Sequence, residues 1–140
     1  MSVGGSGLPT PAPDTDLETA AFWTATAEGR LTLPRCDACG FVIWYPRSFC
    51  PRCHSRDVTW IDATGGGTVY SYTIARRGVG EYAQSTPYVL AYVELDEGPR
   101  VLTNVVDTDL ATIHIGMRVT AVFEPAGERA ALVRFRGAPS

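Results

Sequence analysis

The four cysteines of this chain all lie within one short stretch, RCDACGFVIWYPRSFCPRCHSRD. Cys36 and Cys39 form one CxxC pair, and Cys50 and Cys53 form a second pair. A zinc ion prefers four ligands at the corners of a tetrahedron, with each sulfur about 2.3 Å from the metal. One CxxC turn delivers two thiolates to one side of such a tetrahedron, so two turns complete it. The spacing therefore predicts a metal site in which all four cysteines are ligands.

The residues alone leave other roles for these thiols open. A rubredoxin-like iron site uses the same ligands, and a redox or disulfide role needs only pairs of cysteines. We favour structural zinc on the spacing of the cysteines. Four thiolates leave no open coordination position, which argues against catalysis by the metal. Residues 31–63, which form the predicted zinc ribbon, are too few for an independent core, so metal binding should be coupled to folding. We interpret His54, which directly follows Cys53, as a polar surface residue.

Composition and charge limit the class of protein. The chain has 140 residues and is 45% hydrophobic, which suffices for the core of one average domain or two very small ones. The first residues do not resemble a signal peptide, and no window approaches the roughly 18 apolar residues of a membrane span, so we expect a cytoplasmic protein without membrane contact. Cytosolic thiols are kept reduced, which argues against disulfides. The formal net charge is −3 and all 12 basic residues are arginines, so no overall field attracts nucleic acid.

The chain before the cysteines divides into a tail and a helix. Residues 1–13 are rich in glycine, serine and proline, and we expect a disordered tail. The sequence TDLE at Thr15–Glu18 fits a capping box, which predicts an N-terminal helix within residues 14–30 that is held by packing. Five residues fall at helical spacing along it, with Phe22 and Trp23 beside this stripe: Leu17, Ala20, Ala21, Thr24 and Ala27.

A run of glycines separates the ribbon from the last part of the chain. The sequence ATGGGT at residues 63–68 is interpreted as a tight turn into a strand. The alternative, a phosphate-binding loop, lacks the helix pattern and the Lys-Ser/Thr pair that should follow it. We therefore place the boundary between the ribbon and the next domain at these glycines.

Residues 64–137 have the pattern of a small β domain. Five short runs rich in β-branched and aromatic residues follow one another: TVYSYTIARR, PYVLAYVEL, RVLTNVVD, MRVTAVFE and ALVRFR. Short connections at residues 96–99 and 124–129 predict two hairpins, and the segment between the third and fourth runs has room for one helical turn. This order matches a five-stranded Greek-key barrel of the OB type. The predicted fold is mainly β, with an N-terminal helix, a zinc ribbon and an OB-fold barrel.

Alternating residues on these runs predict two faces. On the second run Val89, Ala91, Val93 and Leu95 share one face, and Tyr88, Leu90, Tyr92 and Glu94 share the other. On the first run Tyr70, Tyr72 and Ile74 are expected on one side. A tyrosine-rich face either packs against other strands or the helix, or stacks against a ligand. Arg76 and Arg77 precede the loop GVGEYAQSTP and are either solvated or part of a recognition loop.

No sequence motif for catalysis stands out. A nucleophile elbow, a Walker loop, a dinucleotide fingerprint and HExxH are all missing from the sequence. We interpret Asp96 and Glu97 as solvated acids in a turn. Helix capping explains Asp107 and Asp109. His114 is interpreted as a turn or edge residue, and we expect no catalytic residues in this chain alone.

Residues 14–136 resemble a known family in both motifs and order. The resemblance is carried by FW, EGRL, CDACG and YPRSFCPRC, followed by GTVYSYT, PYVLAYVELDEGPRVLTNVVD and IGMRVTAVFE. These segments resemble proteins that join a rubredoxin-like zinc ribbon to an OB-fold, a family formerly described only as a domain of unknown function. Members resemble accessory subunits that accompany thiolase-superfamily and hydratase-like proteins of acyl-CoA metabolism, including aldolases that shorten the steroid side chain.

The resemblance implies a function and a set of contacts. It implies structural zinc on Cys36, Cys39, Cys50 and Cys53, and a hetero-oligomer with a thiolase-like enzyme, with acyl-CoA at or near the interface. It also implies partner contacts through the helix and parts of the barrel. Fold analogy by itself provides only a prior on function. The residues that we select for contact with the partner or ligand are Phe22, Trp23, Trp44, Arg76, Arg77, Tyr88 and Tyr92.

Single-stranded nucleic-acid binding is the competing hypothesis. Zinc ribbons and OB-folds both occur in such proteins, and tyrosines can stack against bases. The acidic balance and the lack of lysine argue against it. We therefore expect a noncatalytic protein partner of an acyl-CoA enzyme, and a free-standing enzyme is the third hypothesis.

Overall fold

The computed structural model describes residues 2–3 and 6–139, with side chains from residue 6 onward. Within these residues the fold has one α-helix and is otherwise mainly β, as predicted. The helix and strands are β1 (Ser2–Val3), α1 (Ala20–Ala27), β2 (Thr32–Cys36), β3 (Val58–Asp62), β4 (Gly66–Ala75), β5 (Tyr88–Leu95), β6 (Arg100–Val105), β7 (Arg118–Pro125) and β8 (Ala131–Gly137). Short 3₁₀ helices at Gly80–Gln84 and Leu110–Thr112 lie in the β4–β5 and β6–β7 connections.

Strands β4 to β8 form the predicted five-stranded barrel. Antiparallel pairing joins β4 to β5, β5 to β6, and β7 to β8. The barrel closes where β4 pairs antiparallel with β7 and where β6 pairs parallel with β8. The second closure involves one register position, Val105 opposite Phe135. Both predicted hairpins and the helical turn between β6 and β7 are present.

A β-bulge in β4 separates the tyrosines that alternation had placed together. Val69 lies opposite Val93, but the register then shifts so that Tyr72 lies opposite Ala91. Cross-strand partners share a face, so the extra residue moves Tyr70 to the outside of the barrel, where it is 49% exposed. The Tyr72 hydroxyl instead donates to the carbonyl of Ile113. The expectation that Tyr70, Tyr72 and Ile74 share one side was wrong.

The N-terminal helix is shorter than predicted. It begins at Ala20, and the proposed capping box at Thr15–Glu18 does not form. Asp16 and Thr19 bond to each other instead: the Thr19 amide donates to the Asp16 carboxylate, and the Asp16 amide donates to the Thr19 hydroxyl. The Glu18 carboxylate accepts from the amide and hydroxyl of Ser48, which links this turn to the ribbon.

The buried face of α1 differs from the stripe at helical spacing. Phe22, Ala25 and Thr26 are the buried residues of the helix. The Thr26 hydroxyl accepts from the amide of Ala131 at the start of β8, which fixes the helix on the barrel. The residues of the stripe all lie on the exposed side: Leu17, Ala20, Ala21, Thr24 and Ala27. Contact with the barrel, rather than the spacing of small residues, determines which face of α1 is buried.

The part of the N-terminal tail that the structure describes contacts the barrel. The amide and hydroxyl of Ser6 donate to the Glu124 carboxylate, at 3.1 and 2.9 Å. The Arg134 guanidinium donates to the carbonyl of Pro9 at 2.6 Å. These contacts differ from the expected disordered tail, because Glu124 and Arg134, buried on β7 and β8, need further hydrogen-bond partners. Residues 1, 4 and 5 of the predicted tail lie outside the described residues.

The glycines between ribbon and barrel form a turn into β4, as predicted. A Cβ on Gly67 would lie 2.6 Å from Val93 Cγ1, so this position needs glycine for strand packing. The turn is tied to the β5–β6 connection, since Glu97 accepts from the Thr64 amide. Asp96 in the same connection forms two hydrogen bonds with Arg118 of β7. Both acids lie in the turn, as interpreted, and Asp96 is exposed, but each also accepts a hydrogen bond from another part of the fold.

The helix and one end of the ribbon share the core of the barrel. Phe22, Leu31 and Leu33 pack in one cluster with inward residues of the barrel strands, such as Val93 and Phe135. A second, smaller cluster lies around the cysteines. In the described ranges, no helix has the length and apolar character that crossing a membrane would require.

Candidate functional site

The two CxxC turns bring all four sulfurs together. Cys36 ends β2, and its Sγ lies 3.5 Å from that of Cys53. The sulfurs of Cys39 and Cys50 are 3.7 Å apart, and all four lie within 4.8 Å of one another. The edge of a ZnS₄ tetrahedron is about 3.8 Å for a metal–sulfur distance of about 2.3 Å. The four cysteines are therefore positioned to hold one metal ion.

Backbone hydrogen bonds shape the two turns in the same way. The Cys36 amide donates to the carbonyl of Phe41, and the Cys50 amide donates to that of Ser55, both at 2.8 Å. The Arg52 amide points to Cys50 Sγ at 3.4 Å. Amides directed at a sulfur stabilise the thiolate that a metal requires. The geometry of these loops is thus prepared for metal binding by local contacts.

The thiols differ in acidity when only protein groups surround them. Burial raises the pKa of Cys50, but the amides of Cys53 and Arg52 outweigh it and lower that pKa to about 7. The Ser55 amide lowers the pKa of Cys53, but the thiol of Cys36 and burial outweigh it and raise that pKa to about 12. Four adjacent thiolates repel one another, and a divalent cation removes this repulsion. The donor set fits a metal with a preference for sulfur.

The end of the ribbon that holds the cysteines has little apolar packing of its own. Strands β2 and β3 pair antiparallel from Thr32 opposite Asp62 to Cys36 opposite Val58. Its second core cluster has only three fully buried members, Cys36, Ile43 and Cys50. A core of this size cannot offset the conformational entropy of the loops around it. Metal binding at the four cysteines would therefore supply most of the order at this end of the ribbon.

Three of the predicted contact residues meet between helix, ribbon and barrel. The rings of Phe22 and Trp23 are 4.9 Å apart and those of Phe22 and Trp44 are 5.4 Å apart, both edge to face. Phe22 is only 2% exposed, so it supports the two tryptophans from within the core. Tyr45 extends the cluster, with its ring 5.2 Å from that of Trp44 and 46% of its surface exposed.

These aromatic rings form one wall of a cavity of about 340 Å³ between β6 and β8, which we name the β6–β8 groove. Trp23, Trp44 and Tyr45 line one side of it, and Tyr82 of the β4–β5 connection also contributes. The other side consists mainly of strand residues: Leu102, Thr103, Leu132 and Val133. The indole Nε1 of Trp23 is shielded from solvent and has no hydrogen-bond partner among the described residues. The groove is thus largely apolar.

A second apolar surface covers the outside of β4, β5 and β6. Its exposed members, which we name the outer face, are Tyr70, Leu90, Tyr92 and Leu102. Arg100 lies over the ring of Tyr70, with its guanidinium carbon 3.8 Å from the ring centre, and donates to Glu94. Leu102 belongs to both the outer face and the groove, so the two surfaces are continuous.

The remaining predicted contact residues lie apart from the aromatic cluster. Tyr88 is half-buried, with its ring 5.6 Å from that of Tyr82. Arg76 and Arg77 are exposed in the connection after β4, and neither forms an ion pair within residues 6–139. Sequence reasoning missed Tyr45, Tyr82 and Leu102 as groove residues. Only the position of Tyr45 beside Trp44 in VIWYP could have indicated one of them.

Asp109 and the two histidines lie in turns or on the surface. Asp109 accepts from the amide of Ala111 and caps the 3₁₀ helix, as predicted. His54 and His114 are exposed, and the Nδ1 atom of His114 lies 2.8 Å from the carbonyl oxygen of Thr112. The interpretation of His114 as a turn residue is confirmed.

Comparison with known proteins identifies two domains in the chain. Residues 23–59 match the ChsH2 rubredoxin-like zinc ribbon domain, and residues 60–124 match the ChsH2 C-terminal OB-fold domain. A chain of the solved Ltp2-ChsH2(DUF35) aldolase is 36% identical, with a TM-score of 0.80, over 91% of this chain and 99% of that one.

Two curated relatives extend the comparison. The probable enoyl-CoA hydratase alpha subunit of Thermomonospora curvata is 38% identical over 91% of this chain, which spans 40% of that protein. A DUF35 domain-containing scaffold protein of Methanothermobacter thermautotrophicus is 34% identical over 79% of this chain and 85% of its own length. The chain thus belongs to the DUF35 family, with a ChsH2-type zinc ribbon followed by an OB-fold.

Proposed function

We propose that this chain is a noncatalytic accessory subunit that binds and stabilises a thiolase-like enzyme acting on acyl-CoA substrates in the cytoplasm. The partner is an aldolase, lyase or acyltransferase, and steroid side chains are one class of acyl group that fits the resemblance. In this function the chain completes the fold of its partner and helps to wall the acyl-CoA site. The reacting groups belong to the partner.

The observation that carries this proposal is the match to the Ltp2-ChsH2(DUF35) aldolase. That match covers nearly the whole of a chain in an aldolase whose name joins Ltp2 to ChsH2. Relatives named as a scaffold and as an alpha subunit support the same kind of role. A protein that acts inside an assembly needs surfaces for its partner rather than a reaction centre of its own.

The exposed apolar surface supports such a role. Among residues 6–139, nine large hydrophobic residues are exposed, and four of them lie together on the outer face. Tyr45 adds to this surface at the entrance of the β6–β8 groove. Contiguous exposed apolar area, especially when aromatic, is typical of protein interfaces. Arg76 and Arg77 are exposed cations, and we propose that they face acidic groups of the partner or the phosphates of coenzyme A.

We propose zinc as the metal held by Cys36, Cys39, Cys50 and Cys53. A zinc ion in this shell supplies a closed tetrahedral centre with no open position for a substrate. The protein groups around it hold the two CxxC turns in register and fix β2 against β3. The expected role is to give the ribbon a constant shape for contact with the partner.

Co-expression with a thiolase-like protein encoded beside this chain tests the function. We expect the partner to be recovered in a complex with this chain, and to lose solubility and acyl-CoA activity when it is expressed without it. The chain incubated alone with acyl-CoA thioesters should give no turnover. Unchanged solubility and activity of the partner in the absence of this chain would contradict the proposal.

A titration with oligo-dT at several salt concentrations tests the nucleic-acid hypothesis. Binding to a nucleic-acid backbone weakens steeply as salt rises, because bound counterions are released. We expect no salt-sensitive binding, since the protein has a net charge of −3 and no lysine. Tight binding at low salt that disappears at high salt would favour the competing hypothesis.

A further inference from the structure

The barrel is incompletely closed beside the β6–β8 groove. Strands β6 and β8 pair through backbone at one register position, Val105 opposite Phe135, and the amide of Val106 donates to the carbonyl of Phe135. Towards the other end of β6, the link that the structure gives between the strands is from the hydroxyl of Thr103 to the carbonyl of Val133. The edges of β6 and β8 therefore flank the groove with little pairing between them. Unpaired strand edges are places where an extended chain can add.

The walls of the groove suit an extended chain with apolar side chains. Trp23, Trp44, Tyr45 and Tyr82 present flat aromatic surfaces, which are the usual lining of sites for extended, proline-containing segments. Leu102, Leu132 and Val133 provide the aliphatic part of the lining.

The chain's own N-terminal segment already enters one end of this groove. Pro11 is part of the lining, and the carbonyl of Pro9 accepts from the Arg134 guanidinium at 2.6 Å. The segment LPTPAPD has a proline at every second position from Pro9 to Pro13 and no regular secondary structure. Proline restricts such a chain to extended conformations. The structure thus contains one example of the type of segment that the groove accepts.

Charge in the groove disfavours an anionic ligand. Arg134 is the cation of its lining, and it is 3% exposed and paired with Glu124 at 2.8 Å. The guanidinium is further occupied by the carbonyl of Pro9. A coenzyme A phosphate would find no free cation in the lining, whereas a peptide backbone is neutral. The lining therefore favours an uncharged polypeptide over the phosphate-bearing part of a cofactor.

We infer that the β6–β8 groove binds an extended, uncharged segment of the partner enzyme, rich in proline or small apolar residues, which continues the path of Pro9–Pro13 between the edges of β6 and β8. This inference rests on the proposed function and deepens it by assigning the partner a specific site.

Variants on the two walls of the groove test the inference in the intact complex. Leu102→Arg and Tyr45→Arg place a charge at opposite sides of the groove, and both parent side chains are about half exposed, so the fold should tolerate the changes. We expect each to weaken binding of the partner at least about tenfold. Ile115→Arg is the matched control, because Ile115 is exposed but is not part of the groove. This variant should bind the partner with unchanged affinity. Leu90→Arg measures the outer face without the groove.

Overlapping synthetic peptides that cover the partner's sequence provide the direct probe. In a Trp60→Phe background, Trp23 and Trp44 report binding by their fluorescence. We expect one linear peptide to bind, to compete with the intact partner and to lose affinity in Leu102→Arg and in Tyr45→Arg. A complex that forms normally with both variants, with no peptide binding, would overturn the inference while the proposed function stands. A chain that forms no complex with the thiolase-like protein would overturn both, and competition by an acyl-CoA instead of a peptide would overturn the inference alone.

Discussion

Gly40 and His54 occupy equivalent positions in the two cysteine turns. Each directly follows the second cysteine of its pair, and each has a positive φ, 79° for Gly40 and 67° for His54. Their amides donate 2.8 Å hydrogen bonds to the carbonyl oxygens of Cys36 and Cys50. The second turn therefore has a residue with a side chain at a position where the left-handed backbone favours glycine.

Replacing His54 by glycine should stabilise the protein. The substitution removes the steric cost of a left-handed backbone with a Cβ, and we expect the free energy of unfolding to rise by about 1 kcal/mol. His114→Gly is the matched control, because His114 is exposed but has no positive φ, and glycine there should lower stability slightly. Denaturant unfolding measures the free energy of unfolding of both variants. Equal effects of the two substitutions would contradict the role assigned to the turn.

Removing one cysteine ligand should remove the metal. Elemental analysis of the purified protein should find one zinc ion per chain, and Cys39→Ser or Cys53→Ser should lower this value strongly. Apparent metal-binding energies of about 10–16 kcal/mol in structural zinc modules mean that the ribbon should unfold with loss of the ion. Near-ultraviolet circular dichroism, to which Trp44 and Trp60 of the ribbon contribute, follows that unfolding.

His54→Ala is the control for the metal experiment. His54 is exposed and does not belong to the sulfur cluster, so this variant should keep a full complement of zinc. Loss of zinc from His54→Ala would show that the four cysteines are not the complete ligand set. A correctly folded ribbon without any metal would show that metal binding does not order the ribbon.

Replacing Glu124 by glutamine should be strongly destabilising. Glu124 and Arg134 are buried and paired at 2.8 Å, and loss of one charge leaves the other buried without a counterion. Breaking such a pair costs about 3–5 kcal/mol. Asp96→Asn breaks the more exposed pair with Arg118 and should cost about 0–1 kcal/mol. Comparable losses of unfolding free energy in the two variants would contradict this difference in burial.

Stability should decrease in acid because of the same carboxyl group. Burial disfavours the charged form, but the Arg134 guanidinium and the amide and hydroxyl of Ser6 outweigh it and hold the pKa of Glu124 below its usual 4.5. Since the folded pKa lies below the unfolded one, the contribution is complete above about pH 4.5 and is lost as the pH falls through the folded pKa. Arg118 likewise lowers the pKa of Asp96.

The two carboxyl groups can be separated by thermal melting as a function of pH. We expect the acid-induced fall in melting temperature to be smaller in Glu124→Gln and in Asp96→Asn than in the parent, each variant lacking one contribution. A parent protein whose melting temperature is constant from neutral pH to below the usual pKa of Glu124 would contradict both assignments.

Replacing Gly67 by alanine should disturb the packing of β4 on β5. The added Cβ would lie 2.6 Å from Val93 Cγ1 and 2.9 Å from the carbonyl oxygen of Glu94. Overpacking of this kind costs about 1–3 kcal/mol. Thr73→Ala on the exposed side of the same strand should change stability by no more than about 0.5 kcal/mol. If both variants unfold at the same denaturant concentration, the close approach at Gly67 is not present in solution.

Features that depend on near neighbours in the chain were predicted correctly from the sequence. The spacing within CDAC and CPRC brings two sulfurs to each turn, because a CxxC turn is made by consecutive residues. The alternation in PYVLAYVEL indicated a strand with Val89 and Val93 inward, and the connection at Asp96–Pro99 is too short for anything except a hairpin. These local signals were enough for the zinc ribbon, the strand order and the OB-fold.

Features that depend on distant residues were decided by the tertiary structure. The N-terminal segment is held because Glu124 and Arg134, more than a hundred positions away, are buried and need hydrogen bonds that Ser6 and Pro9 supply. The bulge beside Tyr70 depends on cross-strand register with β5, which no pattern within β4 contains.

The β6–β8 groove also depends on residues that are distant in the sequence. Trp23, Trp44 and Leu102 come from the helix, the ribbon and the barrel, and only packing of all three brings them to one surface. The sequence by itself thus determined the cluster of four cysteines and the strands, since those follow from short-range spacing. Tertiary packing decided which aromatic and charged residues meet, because burial and hydrogen-bond satisfaction are properties of the whole fold.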